Sequence, residues 1–319
     1  MLQILLITFP FFALVLCGYV AARRGWLPQA AIPGLNTFVL YFALPCMLYR
    51  FGSGTPIALL LNPALILVYL LCALIMVSFT TAVTLSQRID WNNAAFGSLV
   101  AAFPNTGFMG VPLLVALLGA QAAGPAIVTI VIDLVITTSL CIALSRLDAA
   151  DTGGARLAVK NALKGVLSNP MPWAIMAGAV SSYFGVEPVK PVLQTMSLLA
   201  DSASPVALFT IGAVLARSQM TSQDPTPLAE YVPVPMKKLV LHPLLVLLVG
   251  SAAMSLGVPL DKFSLTVIVL VAALPSASNV SLLAEKFGAN NGRIARIILV
   301  STALAFLTFS GAVHFMTGL

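Results

Sequence analysis

Charged side chains are scarce in this sequence. Asp, Glu, Lys and Arg make up 8% of its 319 residues, whereas a soluble domain carries about a quarter. Hydrophobic residues make up 60%, and the mean hydropathy is +1.03, so one soluble core could not bury the apolar surface. This composition excludes a soluble protein and predicts an all-α polytopic membrane protein with the lipid bilayer as its solvent.

The sequence also has few of the residues that build metal and catalytic centres. Its four cysteines fall inside apolar runs and show neither metal-ligand spacing nor a disulfide framework. Its two histidines, His242 and His314, lie far apart. A phosphate-binding loop, a nucleophile elbow and a dinucleotide fingerprint are all missing. These absences argue against an enzyme, a cofactor-dependent protein and an ATP-driven pump.

Long apolar runs separated by short polar breaks predict ten transmembrane helices. The first run lacks the basic start of a signal peptide, and its charges follow the apolar stretch, so we interpret it as a retained span. The predicted spans are 3–22, 33–51, 62–86, 93–119, 123–146, 165–185, 191–216, 238–257, 263–286 and 292–316.

The basic residues indicate how these spans are oriented. Of the sixteen Lys and Arg, three fall in one set of alternate loops, namely Arg50, Lys190 and Lys262, and thirteen fall in the other. This positive-inside bias predicts that both termini lie outside. Basic loops that touch anionic lipid account for the net charge of +6, so nucleic-acid binding is not needed. The thirteen are Arg23, Arg24, Arg88, Arg146, Arg156, Lys160, Lys164, Arg217, Lys237, Lys238, Lys286, Arg293 and Arg296.

The two halves of the chain resemble each other. Segment 9–28 matches 169–188 at an offset of 160 residues, and AAFP at 101–104 matches AALP at 272–275 at an offset of 171. Because each half holds five spans, an odd number, the second half enters the membrane from the opposite side. The result is an inverted 5+5 repeat, which is typical of secondary transporters. The predicted units are 1–146, a cytoplasmic linker 147–164, and 165–319.

Both halves carry a proline near the middle of the fourth span, at Pro104 and Pro275, and polar residues follow each one. A proline in mid-membrane frees backbone groups that need partners. We expect the two interruptions to meet near the midplane, where helix N-termini would face an anion. The alternative is a proline kink with capping side chains that serves packing only. The expected substrate contacts are Asn105, Thr106, Gly107, Ser276, Ser278 and Asn279.

The segments NTGFMGVPLL (105–114) and ALPSASNVSLLAEKFG (273–288) resemble the auxin efflux carrier family. That family includes the plant PIN-formed auxin exporters and bacterial organic-acid carriers. The resemblance covers nearly the whole chain, and the compact length is similar to that of the bacterial malonate carriers. It implies an inner-membrane protein with a fold like that of sodium/bile-acid symporters and sodium/proton antiporters. Spans 1, 2, 6 and 7 would form a scaffold able to dimerise, and spans 3–5 and 8–10 a transport domain that holds a carboxylate at the crossover of spans 4 and 9.

The resemblance also implies further site residues. The segment around Pro45 is similar to the family's second span, so Leu44 and Met47 are expected to line the cavity. Pro45 and Pro112 join Pro104 and Pro275 as expected helix breaks. The second copy has Ser281 where the first has Pro112.

Acidic residues inside the predicted spans are candidates for ion coupling, because a carboxylate is costly in hydrocarbon. Asp133 could carry a proton or bind a sodium ion, or it could be a structural tie to a broken helix. Asp201 is a second coupling candidate, although bracing of the Ser-rich seventh span is the favoured interpretation.

These observations predict a secondary transporter of a small organic anion that works by alternating access. The energy could come from a proton, a sodium ion or the membrane potential. An anion channel, a membrane-embedded anion sensor and an intramembrane enzyme are the competing classes.

Overall fold

A computed structural model of the chain describes residues 2–86, 88–147, 160, 167–221 and 227–318. Across these residues the secondary structure is helical apart from two isolated β-bridges. Seven helices are long and apolar enough to cross a membrane by length and composition. The prediction of an all-helical polytopic membrane protein is therefore confirmed. Most of the predicted linker 147–164 lies outside the described residues.

The helices are numbered along the chain, and the letters a and b mark the two parts of an interrupted helix. Their bounds are α1 Leu2–Arg23, α2 Gln29–Ser53, α3 Pro63–Thr84, α4a Trp91–Ala102, α4b Thr106–Leu118, α5 Ala120–Leu144, α6 Pro170–Phe184, α7 Lys190–Thr221, α8 Leu228–Ser255, α9a Lys262–Ala273, α9b Asn279–Lys286 and α10 Asn291–Thr317.

Polar caps fix where several helices begin. Asp90 precedes α4a and accepts a hydrogen bond from the backbone N–H of Asn93 at 2.8 Å. Asp261 precedes α9a and accepts one from the N–H of Ser264 at 2.8 Å. Such a cap satisfies an N–H group that the helix itself leaves without a partner. The two short helices before the interruptions therefore start in the same way.

At three prolines inside helices, the helix accommodates the proline with a wider turn. Five-residue π-helical turns end two residues before Pro45, Pro112 and Pro243. In the first of these turns, the N–H of Leu44 donates to the carbonyl of Val39, five residues earlier. A proline clashes with the carbonyl four residues before it, and widening the turn relieves that clash. At Pro45 and Pro112 the helix is thus distorted but continuous, which differs from the expected breaks.

The interior is centred on the two short helices. Residues 94–103, which cover most of α4a and the residue after it, are all buried. Residues 267–277, which run from within α9a into the interruption after it, are buried as well. Helix α3 packs on α4a, and α8 packs on α9a. Around this centre, α1 packs against α7 and α6 packs against α2. Large apolar side chains such as Leu6 and Phe9 remain exposed on the outside, where lipid would cover them.

Glycines allow the outer helices to approach closely. A Cβ atom on Gly52 of α2 would come within 2.7 Å of the carbonyl oxygen of Ile175 on α6. Added Cβ atoms on Gly178, Gly18 and Gly212 would likewise strike the backbone of the facing helix. Only a residue without a side chain fits such a contact.

Candidate functional site

Two helices are interrupted at the prolines that the sequence singled out. Helix α4a ends at Ala102 and α4b begins at Thr106, with Pro104 between them. Helix α9a ends at Ala273 and α9b begins at Asn279, with Pro275 between them. Proline lacks an N–H donor and cannot continue the helical hydrogen-bond pattern, which explains the position of both gaps.

The two gaps pair with each other. The backbone N–H of Asn105 donates to the carbonyl of Pro275 at 2.8 Å, and the N–H of Ala277 donates to the carbonyl of Phe103 at 3.0 Å. Pro104 and Ser276 thereby form an isolated antiparallel β-bridge. Each interruption supplies partners for backbone groups that the other has freed. The expectation that the unwound segments meet is confirmed.

Polar side chains at this pairing keep unsatisfied atoms. Buried atoms without a hydrogen-bond partner in the described part of the chain include Oδ1 of Asn105, Oγ of Ser276 and Oδ1 of Asn279. A buried polar atom left without a partner costs about 1–3 kcal/mol. Rotation of an amide exchanges its oxygen and nitrogen, so the same asparagines can present N–H donors. The site can therefore offer donors to a carboxylate.

The remaining expected contacts lie close to the paired segments. Thr106 is fully buried, and its hydroxyl lies 3.5 Å from the carbonyl oxygen of Pro104. Gly107 is half-buried in the first turn of α4b, and Ser278 is half-buried just before α9b. The role of these residues in substrate binding stays a prediction.

A small cavity lies between α2 and α7 on one side and α4b and α9b on the other. Ser278 and Asn279 line it, as does Phe108 of α4b. Its volume is about 10 Å³, which is room for about one water molecule. Binding of a dicarboxylate there requires the two pairs of helices to move apart. The lining residues from α2 and α7 are Asn36, Val39, Leu40, Ala207, Thr210, Ile211 and Val214.

Two polar residues of this lining, Asn36 and Thr210, were not predicted from the sequence. Asn36 is a polar residue in the apolar run LNTFVLYF, which was the available signal. Leu44 and Met47 were expected to line the cavity. They are buried in α2, one to three turns beyond its lining residues, and are not part of the lining. Their contact with substrate stays a prediction.

Asp133 is fully buried in α5 and its carboxylate is hydrogen-bonded. One oxygen accepts from the Tyr69 hydroxyl at 2.8 Å and the other accepts from the Thr137 hydroxyl at 3.0 Å. Its backbone carbonyl accepts from the Thr138 hydroxyl at 2.7 Å, inside a π-helical turn over Asp133–Thr137. The hydroxyl donors keep the carboxylate in one orientation beside α3.

Two basic residues counted as loop charges prove to be buried. Lys238 is fully buried in α8, where its Nζ donates to the carbonyl of Ala272 at 2.6 Å. Arg293 is buried at the start of α10 and donates to the backbone carbonyls of Glu230 and Asn93. Both side chains satisfy backbone carbonyls of neighbouring helices, and so the placement of these two charges in a loop was wrong.

Asp201 lies on α7 and forms an ion pair. The Nη1 atom of Arg50 on α2 is 2.6 Å from its carboxylate oxygen Oδ1. Both side chains are exposed, Asp201 by 66%. The ion pair joins α7 to α2. Bracing of the Ser-rich seventh span by Asp201 and a coupling role for it both stay predictions.

Comparison with known proteins points to one function class. The family described as "Membrane transport protein" matches residues 4–313. A "Putative malonate transporter" from Rhizobium meliloti (strain 1021) is 30% identical over 317 residues, covering 98% of this chain and 96% of the relative. An "Uncharacterized transporter YfdV" from Escherichia coli (strain K12) is 27% identical over 282 residues, covering 87% and 86%. A further "Uncharacterized transporter", from Methanothermobacter thermautotrophicus, is 23% identical over 298 residues, covering 92% of each chain.

Proposed function

Because this chain belongs to the family of membrane transport proteins, we propose that it is a secondary active transporter of a small organic anion. The substrate is a mono- or dicarboxylate, with malonate favoured because a relative carries that name. The observation that carries the proposal is the pairing of the two interruptions through Asn105 and Pro275. Helices α4b and α9b start at this pairing, and helix N-termini favour anions.

We further propose ten membrane spans in an inverted repeat. Helices α4a and α9a each have twelve residues, and each is capped by an Asp. Asp90 and Asp261 are 171 residues apart, which is the offset of the matching AAFP and AALP segments. Counting each interrupted pair as one span, and α6 as another, brings the helices to ten.

Close glycine contacts support the same repeat. Gly18 faces Phe209, and Gly178 faces Tyr49. Gly178 lies 160 residues after Gly18, and Phe209 lies 160 residues after Tyr49. Gly212 against Val15 and Gly52 against Ile175 are related in the same way. A two-fold exchange of the halves therefore maps one pair of contacts onto the other.

The same packing supports a division into two domains. Helices α1, α2, α6 and α7 pack on one another, and this group would be the scaffold, with homodimerisation through its exposed face. The transport domain would be α3–α5 and α8–α10. The cavity lies where α2 and α7 face α4b and α9b, which would be the boundary between the two domains. Sliding of one domain against the other would widen the cavity and expose it to each side in turn.

The proposed location is the bacterial inner membrane, with both termini outside. Without the two buried side chains, Lys238 and Arg293, eleven basic residues remain on the side predicted to be cytoplasmic, against three on the other side. That ratio retains the positive-inside bias. If a proton or sodium ion is coupled to transport, Asp133 would be the group that binds it, since this residue is buried and lies outside the scaffold.

Counterflow in liposomes tests the proposed function. Purified protein is reconstituted with unlabelled malonate inside, and entry of labelled malonate is measured against protein-free vesicles. A carrier produces transient accumulation of label, and other mono- and dicarboxylates compete with it. Currents far larger than a carrier's turnover rate could produce would indicate the alternative function, an anion channel. Binding measured by thermal shift without any flux would indicate a sensor. Absence of both binding and flux for every carboxylate would reject the proposal.

A further inference from the structure

The cavity lies towards one side of the membrane. Its lining residues on α2, from Asn36 to Leu40, come before the middle of that helix, and those on α7, from Ala207 to Val214, come after the middle of theirs. Under the proposed repeat, α2 and α7 cross the membrane in opposite directions. Both sets of residues therefore lie towards the side that the basic residues predict to be cytoplasmic.

The repeat relates this cavity to a second space on the other side. The glycine contacts between the outer helices obey an offset of 160 residues. By the same offset, Ala207 corresponds to Met47 and Leu40 corresponds to Ala200. Met47 and Ala200 are both buried, so packing closes the second space in this conformation. A carrier that works by alternating access has to open it during the cycle.

The second space, which we call the mirrored cavity, has an arginine where the present cavity has a threonine. Thr210 lines the present cavity, and its counterpart at the offset of 160 residues is Arg50. The Cζ atom of Arg50 lies 5.8 Å from the ring centre of Phe51, the counterpart of the lining residue Ile211. A guanidinium is planar and can donate two parallel hydrogen bonds to one carboxylate.

A carboxylate of the chain already binds this guanidinium. Nη1 of Arg50 donates to Oδ1 of Asp201 at 2.6 Å. The two side chains are exposed by 43% and 66%, and an ion pair so exposed contributes little to stability. A carboxylate that arrives from solution can therefore displace Asp201 at little cost.

We infer that Arg50 binds the substrate carboxylate in the mirrored cavity, on the outer side, and that Asp201 holds Arg50 until the substrate displaces it. The inference rests on the proposed transport function. The two sides of the carrier then differ in chemistry. The Thr210 hydroxyl donates to the carbonyl of Val206 at 2.6 Å and has no second proton to give to a carboxylate. An anion that enters from outside meets a cation, whereas one that enters from inside meets neutral groups.

The experiment offers labelled malonate to one face of the full chain at a time. Right-side-out and inside-out bacterial membrane vesicles containing the protein are loaded with saturating unlabelled malonate, and exchange is measured against vesicles without it. In right-side-out vesicles, Arg50→Gln should raise the malonate concentration at half-maximal exchange about tenfold or more. In inside-out vesicles that concentration should stay within about twofold of the wild type.

A second substitution separates binding from bracing. Arg50→Gln and Asp201→Asn both break the ion pair, so a pair that only braces α2 against α7 predicts the same effect for both. If Arg50 binds substrate, Asp201→Asn removes its competitor. External malonate at half-maximal exchange should then fall about threefold, while the double variant R50Q/D201N should resemble Arg50→Gln. A rise in Asp201→Asn equal to that in Arg50→Gln would contradict the binding role.

The matched controls are Lys190→Gln and Lys262→Gln, which remove the other two basic residues predicted to lie outside, both of them exposed. They should leave external half-saturation unchanged, and an effect as large as that of Arg50→Gln would reduce its role to general attraction of anions. Should Arg50→Gln fail to fold, Arg50→Lys keeps the charge without the planar fork and should still weaken external binding. An effect of Arg50→Gln that is equal from both faces, or present only in inside-out vesicles, would overturn the inference. Absence of exchange by the wild type in both orientations would reject the proposed function, and the inference with it.

Discussion

The backbone N–H of Asn105 donates to the carbonyl of Pro275, 170 residues further along the chain, at 2.8 Å. This hydrogen bond joins the two interruptions, and the side-chain oxygen of Asn105 beside them has no partner among the described residues. Because the bond uses only backbone atoms, the side chain can be changed without breaking the pairing.

Asn105→Ala should abolish malonate exchange while the protein stays folded. The substitution keeps the backbone bond to Pro275 and removes an amide whose oxygen has no partner in the described part of the chain, so the free energy of unfolding should change little. Ser139→Ala is the control, because it removes another buried polar atom, the hydroxyl oxygen of Ser139 on α5, which has no partner among the described residues. Exchange near the wild-type rate by Asn105→Ala would reject the crossover as the binding site.

Asn36 lies on the α2 side of the cavity, and Asn36→Ala should weaken transport. Asn36 lines the same cavity as Asn279, and loss of one hydrogen bond to a charged ligand costs about 1.5–3 kcal/mol. We expect the malonate concentration at half-maximal uptake to rise about tenfold or more. Thr37→Ala, its exposed neighbour, should leave uptake unchanged. Equal kinetics for the two variants would show that substrate does not reach α2.

Tyr69→Phe should destabilise the protein by about 1–3 kcal/mol, because it removes the hydroxyl that donates to the buried Asp133 carboxylate. Thermal unfolding in detergent measures the effect. Tyr41→Phe serves as control, since Tyr41 is exposed on α2 and surface changes usually stay within about 0.5 kcal/mol. A Tyr69→Phe protein as stable as the wild type would mean that the hydroxyl does not orient Asp133.

Gly212→Ala should destabilise the contact between α7 and α1 by about 1–3 kcal/mol, because the new Cβ would strike the carbonyl of Val15. Under the repeat, Gly52→Ala should show a similar cost, since Gly52 lies 160 residues earlier and faces Ile175. Gly311→Ala in α10 meets nothing within 4 Å and should be neutral or slightly stabilising. Thermal unfolding of the three variants compares them. Tolerance of both Gly212→Ala and Gly52→Ala would contradict this packing.

Asp261→Ala should cost about 1 kcal/mol by removing the cap of α9a, and Asp261→Asn should retain most of the stability. Burial opposes the charge on Asp261, but hydrogen bonds from Ser264 outweigh it and lower the pKa of this carboxyl. The stabilisation is therefore present above the ordinary carboxyl range near pH 4 and is lost as the pH falls through the lowered pKa. Equal stability of Asp261→Ala and the wild type at pH 7 would show that the cap does not matter.

The sequence by itself determined the class of protein, the two interruptions and their meeting. Scarce charge and long apolar runs require a lipid environment whatever the packing. Pro104 and Pro275 end a helix through their own covalent structure, so their effect can be read locally. The matching segments occur in the same order in both halves, which indicated that the halves correspond. This correspondence identified the two interruptions that should face each other.

Only the tertiary structure decided which side chains face those interruptions. Lys238 follows a Pro-rich segment and looks like a loop charge in the sequence, yet the packing of α8 on α9a buries it against Ala272. Asn36 reaches the cavity because α2 faces α9b across it. Both contacts join residues far apart in the chain. Periodicity and composition describe one helix at a time, and they carry no information about which faces of two distant helices meet.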